Sequence, residues 1–179
     1  MAQVNLCIEE KWMYSFEFDK INELTDSNEL LKGCYICIWH AHKIPPHIGI
    51  LIDGLYFSLK VKGKDIAIPS QEIVKVIQRK NICSVFVEIK NEVDLRTIKY
   101  VFSNYEKAEK NNFTCLTPIT EVFELNDEVH LLGDLLNYFK QKQQIGKLFG
   151  LNLIPDFKGI QRYGKAEIEA RLEQLSKSN

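Results

Sequence analysis

The sequence has no excess of charge of either sign. Its 23 basic and 24 acidic side chains leave a net charge of −1, with a pI near 6.4. That balance gives no electrostatic reason to expect nucleic acid or an anionic membrane as a partner. No apolar run approaches the roughly 20 residues of a membrane span. No internal repeat and no low-complexity tract is visible, which sets aside solenoid and linker-like architectures. Cysteine is sparse and odd in number: Cys7, Cys34, Cys37, Cys83 and Cys115 are the five in 179 residues. A disulfide framework does not fit that count, and reduced thiols in a cytoplasmic protein are the simpler expectation. The first 20 residues also lack a signal-peptide core, because Glu9 and Glu10 stand where an apolar stretch is required.

What is present is an ordinary globular composition, 45% hydrophobic and 26% charged. At this length the chain fits one domain with a proper core. "LLKGCYICIWH" reads as a strand that opens at Gly33. "PHIGILIDGLYFSLK" reads as a hairpin around Asp53-Gly54. "IPSQEIVKVIQRK" suits a helix or a strand, and "ICSVFVEIK" a strand. Leu95, Ile98, Val101, Phe102 and Tyr105 have helical spacing over 93–108. Further helices are predicted within "TPITEVFEL", over 128–148 and over 165–176. Strands followed by helices define an α+β protein, a small antiparallel sheet packed against helices. Residues 1–125 are expected to form its core with an N-terminal extension, and 126–179 a helical C-terminal extension packed on that core.

Two places carry candidate chemistry. With a two-residue turn at Asp53-Gly54, Ile52 faces Leu55, Ile50 faces Phe57 and Ile48 faces Leu59. One face of the hairpin is then wholly apolar. The other carries His47, Gly49, Leu51, Tyr56, Ser58 and Lys60. His47 begins its strand on this mixed face, with Ser58 on the diagonal and no side chain at Gly49. It is either a working imidazole or a polar residue that ends a strand. The second place is "NNFTCLTPITEVF", where Cys115 lies at or just before a helix start. Thr114 and Thr117 are competing caps, the latter favoured by Pro118 as first helical residue. The positive end of a helix stabilises a thiolate and lowers its pKa, although a free cysteine is also a common small core residue.

In order and surroundings these pieces resemble the circularly permuted papain-like cysteine hydrolases. That superfamily includes permuted NlpC-type peptidases, the lecithin:retinol acyltransferase group and permuted deubiquitinating or deSUMOylating peptidases. The resemblance runs over about residues 30–125, through Lys32-Gly33, the 34–40 strand, His47-Ile48-Gly49-Ile50, Asp53-Gly54, Ser58 and Cys115. It implies a permuted papain-like fold, Cys115 as nucleophile, His47 as general base and Ser58 orienting the ring, with no cofactor or metal. It also implies a peptide, a peptidoglycan stem or an acyl ester as substrate. The sequence departs from the pattern at Ser58, where histidine is more usual, at Thr114, where asparagine often precedes the cysteine, and at Cys34, where aspartate usually follows the glycine.

Two other readings stand beside it. "CYICIWHAH" clusters Cys34, Cys37, His40 and His42, but a strand would turn Cys34 and Cys37 to opposite faces, so a shared zinc is not expected. His40 and His42 would share a face if the strand continued. Alternatively the scaffold is an inactive binding module: the stripe Val129, Leu132, Leu135, Leu136 and Phe139, and that of the final helix, Ala166, Ile168, Leu172 and Leu175, are expected to pack on the domain by default, with a partner or a second copy as the other occupant.

Overall fold

The computed structural model describes residues 13–178; Cys7, Glu9 and Glu10 lie outside them. Two short strands, β1 (Tyr14–Glu17) and β2 (Asn22–Glu23), come first. A 3-10 turn (Ser27–Leu30) follows, its Asn28 N–H met by the Asp26 carboxylate. Next come β3 (Cys34–Trp39), β4 (His47–Ile52), β5 (Leu55–Lys60) and β6 (Gly63–Pro69). Helix α1 (Ser70–Arg79), strand β7 (Ser84–Ile89), helices α2 (Leu95–Ser103), α3 (Thr117–Val122) and α4 (Leu132–Gln141), strands β8 (Ile145–Leu151) and β9 (Gly159–Gln161) and helix α5 (Lys165–Lys177) complete the chain.

The fold is α+β. Seven strands make one sheet in the order β2-β8-β7-β3-β4-β5-β6, antiparallel except for β2 against β8, and β1 pairs with β9 in a separate ribbon. The hairpin turn is as the sequence predicts. Asp53 and Gly54 both have positive φ, 46° and 78°, the primed-turn geometry that matches the twist of the strands. The pairs Ile52↔Leu55, Leu51↔Tyr56, Ile50↔Phe57 and Gly49↔Ser58 follow. The ladder stops there. Ile48 and His47 stay on β3 (Ile38↔Ile48, Trp39↔His47), while Leu59 and Lys60 pair only with β6. The expected Ile48–Leu59 pair does not form, and the two strands fork.

Both faces of the sheet are covered. Ile36, Ile38, Ile48, Ile50, Phe57 and Leu59 join one core. Over it lie α2 through Ile98, Val101 and Phe102, and α4 through Leu132, Leu135, Leu136 and Phe139. The opposite face carries Tyr35, Cys37, Leu51, Tyr56 and Phe86. Helix α1 packs there through Ser70, Ile73, Val74 and Ile77, an i, i+3, i+4, i+7 stripe. Burying each such aliphatic or aromatic side chain contributes about 1.5–3 kcal/mol. The face expected to be mixed is therefore a second core, because 70–79 is a helix laid across it.

The C-terminal third differs from the expectation of a helical appendage. Helix α4 ends at Gln141, and the segment expected to remain helical to Leu148 enters the sheet as β8, hydrogen-bonded between β7 and β2. Its alternation with β7, Phe86↔Phe149 and Ser84↔Leu151, places apolar residues on the α1 side. Helix 93–108 is also shorter than predicted. It runs 95–103, starting where the Asp94 carboxylate accepts from the Arg96 N–H at 3.1 Å.

Candidate functional site

Cys115 lies two residues before α3. Thr117 is the first helical residue and Leu116 precedes it as cap. The local turn is tied by side chains: the Thr114 N–H donates to Thr117 Oγ1 at 2.9 Å, and the Leu116 N–H to Thr114 Oγ1 at 3.2 Å. Both threonines thus act, one on each side of the cysteine. The thiol is half-buried against the α2–α4 core and reaches the fork between β4 and β5. There the backbone N–H groups of Ile48, Cys115 and Leu116 lie close enough to favour the thiolate. Burial outweighs them and pushes the thiol above its ordinary pKa. The lowered pKa expected from a helix start is therefore corrected: α3 has only six residues, and desolvation wins.

His47 is the residue before Ile48, and its ring sits on the α1 side of the sheet, edge-on to Trp39 with centroids 6.5 Å apart. Burial brings its pKa down to about 4, against the opposing pull of Asp65, and with Lys60 and His40 adding to the decrease. The imidazole is thus neutral at ordinary pH. His47 and Cys115 both line one cavity of about 850 Å³, which also takes in Tyr56, Asp65 and part of α5. The two candidates thus line one cavity from opposite faces of the sheet.

Ser58 is not brought there. It is fully buried, at 0% exposure, and donates from Oγ to Asp65 Oδ2 at 2.8 Å. Asp65, its partner across β5 and β6, also takes the Lys60 ammonium on Oδ1 at 2.5 Å. Asp65 is the carboxylate whose charge acts on His47. The hydrogen bond that Ser58 donates goes to this carboxylate, and it is the charge of the carboxylate that acts on the His47 ring. Sequence reasoning missed Asp65 because it saw no strand at 63–69. The signal was there in Gly63 after β5 and the alternation of Ile66 and Ile68.

The space beside Gly49 is filled as well. A Cβ at that position would fall 2.4 Å from the Tyr56 hydroxyl and 2.5 Å from Cζ. Tyr56 lies on the diagonal from Gly49 across the hairpin, and its ring lies 5.9 Å from that of Trp39. Its hydroxyl is buried. Ser58 lies near enough to favour the phenolate, yet no described group meets the hydroxyl with hydrogen-bond geometry. Burial first, then the nearby Cys37, pushes its pKa well above the usual value.

The cysteine–histidine cluster of β3 disperses. Cys34 faces the α2–α4 core and Cys37 the α1 core, as strand alternation requires. The strand ends at Trp39, and His40 turns into the left-handed region at φ 54°. His40 and His42 therefore do not share a strand face. His40 lines the cavity, whereas His42 Nδ1 is buried with no hydrogen-bond partner among the described residues. Cys83 is in the core. Among the described residues no three histidine, cysteine or acidic side chains group to hold a metal ion, and no helix is long and apolar enough to cross a membrane.

No family model, no curated protein and no solved structure matches this chain.

Proposed function

We propose that the chain is a thiol hydrolase of permuted papain-like design, acting on an ester or amide carbonyl through Cys115 and His47. The observation that carries this reading is the approach of the Cys115 thiol to the Ile48 backbone, one residue from His47, with both side chains open to one cavity. The sulfur attacks the carbonyl carbon as neutral His47 takes the thiol proton, so no resting ion pair is needed. The tetrahedral intermediate collapses, the leaving group departs with the proton from His47, and an acyl-thioester remains. Water attacks the thioester, gives its proton to His47, and releases the acid and the free thiol. The backbone N–H of Cys115 is the candidate donor to the oxyanion. Asp65, fixed by Ser58 and Lys60, stabilises the imidazolium that forms transiently.

The test is turnover of p-nitrophenyl acetate and of acyl p-nitroanilides. A burst followed by steady release is expected. Cys115→Ala should abolish it, and His47→Ala should lower kcat by about 10²–10⁴. Turnover that survives Cys115→Ala would overturn the reading. The second reading is a binding module on the same scaffold. It is favoured by the raised thiol pKa and by the engagement of Ser58 with Asp65 rather than with the ring. Absence of any Cys115-dependent acyl-enzyme with either substrate class would support it.

A further inference from the structure

The cavity combines apolar walls with two cations, Lys43 and Arg171, that have no carboxylate partner among the described residues. Ile73 and Val76 of α1 line one side, and Leu172 and Leu175 of α5 the other. His40, Lys43 and Arg171 also line it. They lie close together, since the charges of Lys43 and Arg171 both bear on the His40 ring. The backbone fixes part of this arrangement: the 40–43 turn closes with the Lys43 N–H on the His40 carbonyl at 2.7 Å. Among the described residues neither Lys43 nor Arg171 has a carboxylate partner. Among the described residues, Arg171 donates to the Gln174 side-chain oxygen, one turn on, at 2.7 Å. The two acids that line the cavity are engaged elsewhere, Asp65 with Lys60 and Ser58, and Glu72 with Lys75. The Lys43 and Arg171 side chains are exposed and solvated, and at the rim of an apolar cavity they set a positive potential that favours an anionic group there.

We propose that this cavity takes a small amphiphilic anion, with an aliphatic chain between α1 and α5 and a carboxylate or phosphate head group on His40, Lys43 and Arg171. The inference rests on the hydrolase reading only in that both place their ligand in the cavity lined by Cys115. Binding itself does not depend on turnover.

The experiment uses the full chain and four probes below their micelle concentrations: decanoate, decyl phosphate, decanol and decyltrimethylammonium. Trp39 lines the cavity, so its fluorescence reports occupancy in a Trp12→Phe background. Both anions should bind more tightly than the alcohol by about tenfold or more, as a charge-assisted contact implies, and the cation should bind weakest. The tighter anion assigns the head group. Lys43→Glu with Arg171→Glu, both at exposed positions, should remove that preference while leaving decanol binding unchanged. Equal affinity for alcohol and anions, or charge reversal without effect, would overturn the proposal. Cys115→Ala should keep decanoate binding. Anion binding without any ester turnover would count against the hydrolase alone, and turnover without anion preference against this inference alone.

Discussion

The state of the Cys115 thiol decides how this site works, and it can be measured directly. Burial raises its pKa above the ordinary thiol value, and His47 carries no charge to counter it. A thiol at the ordinary pKa of about 8.5 is roughly 3% thiolate at pH 7, so Cys115 should be below that share. The alkylation rate with iodoacetamide should therefore climb about tenfold per pH unit from pH 6 to at least pH 8.5. His47→Ala should leave this profile unchanged within about twofold, because removing a neutral ring removes no charge stabilisation. Under the proposed hydrolysis, in which the ring accepts the thiol proton, the same substitution should sharply reduce ester turnover. Mass-spectrometric mapping of the alkylated peptide, in a Cys7→Ser background, follows the site. Cys115 is the half-buried thiol among the described cysteines, and Cys34, Cys37 and Cys83 are buried. A rate plateau below pH 8 that disappears in His47→Ala would demonstrate a thiolate–imidazolium pair and refute a mechanism that starts from two neutral groups.

Protonation of His47 should also appear in stability. Its pKa is about 6.5 in an unfolded chain and about 4 in the fold, so the unfolded state binds the proton first as pH falls. Stability should be full above pH 6.5 and decline between pH 6.5 and 4, by up to about 3 kcal/mol; urea titrations should show this loss shrinking in His47→Gln. Gly49→Ala should drive a Cβ into the wholly buried Tyr56 ring and cost about 1–3 kcal/mol by overpacking. Adding Tyr56→Leu should recover part of that cost, and a neutral Gly49→Ala single variant would show that the ring moves freely.

The parts of the fold written in local chemistry were legible. The Asp53-Gly54 turn fixed a register, the register fixed which side chains of the hairpin share a face, and Cys34 and Cys37 separated as strand alternation demands. What the sequence concealed was non-local. Nothing within residues 145–151 says that this short run will be received between β7 and β2, because that depends on partners about 60 and 125 residues away. The helical nature of 70–79 was open, so the layer over Tyr56 and Leu51 was not anticipated. Asp65 stayed hidden for the same reason, since a carboxylate becomes notable only once β6 brings it beside His47. That Cys115 and His47 would line one cavity is not written in either segment alone, since it depends on how distant strands and helices pack. Nor is the effect of burial on both groups, because desolvation depends on the finished interior.

The pairing of β1 with β9 and of β2 with β8 has a consequence for how the chain is made. The ribosome delivers Tyr14 to Glu23 long before Ile145 to Gln161 exist. The earliest strands thus emerge without the neighbours that will complete them, and such long-range pairings are slow to close. β3, β4, β5 and β7 can assemble first, while both tails wait for release of the nascent polypeptide. Stalled or truncated products that stop before β8 would expose the open flank of β7, an invitation to self-association.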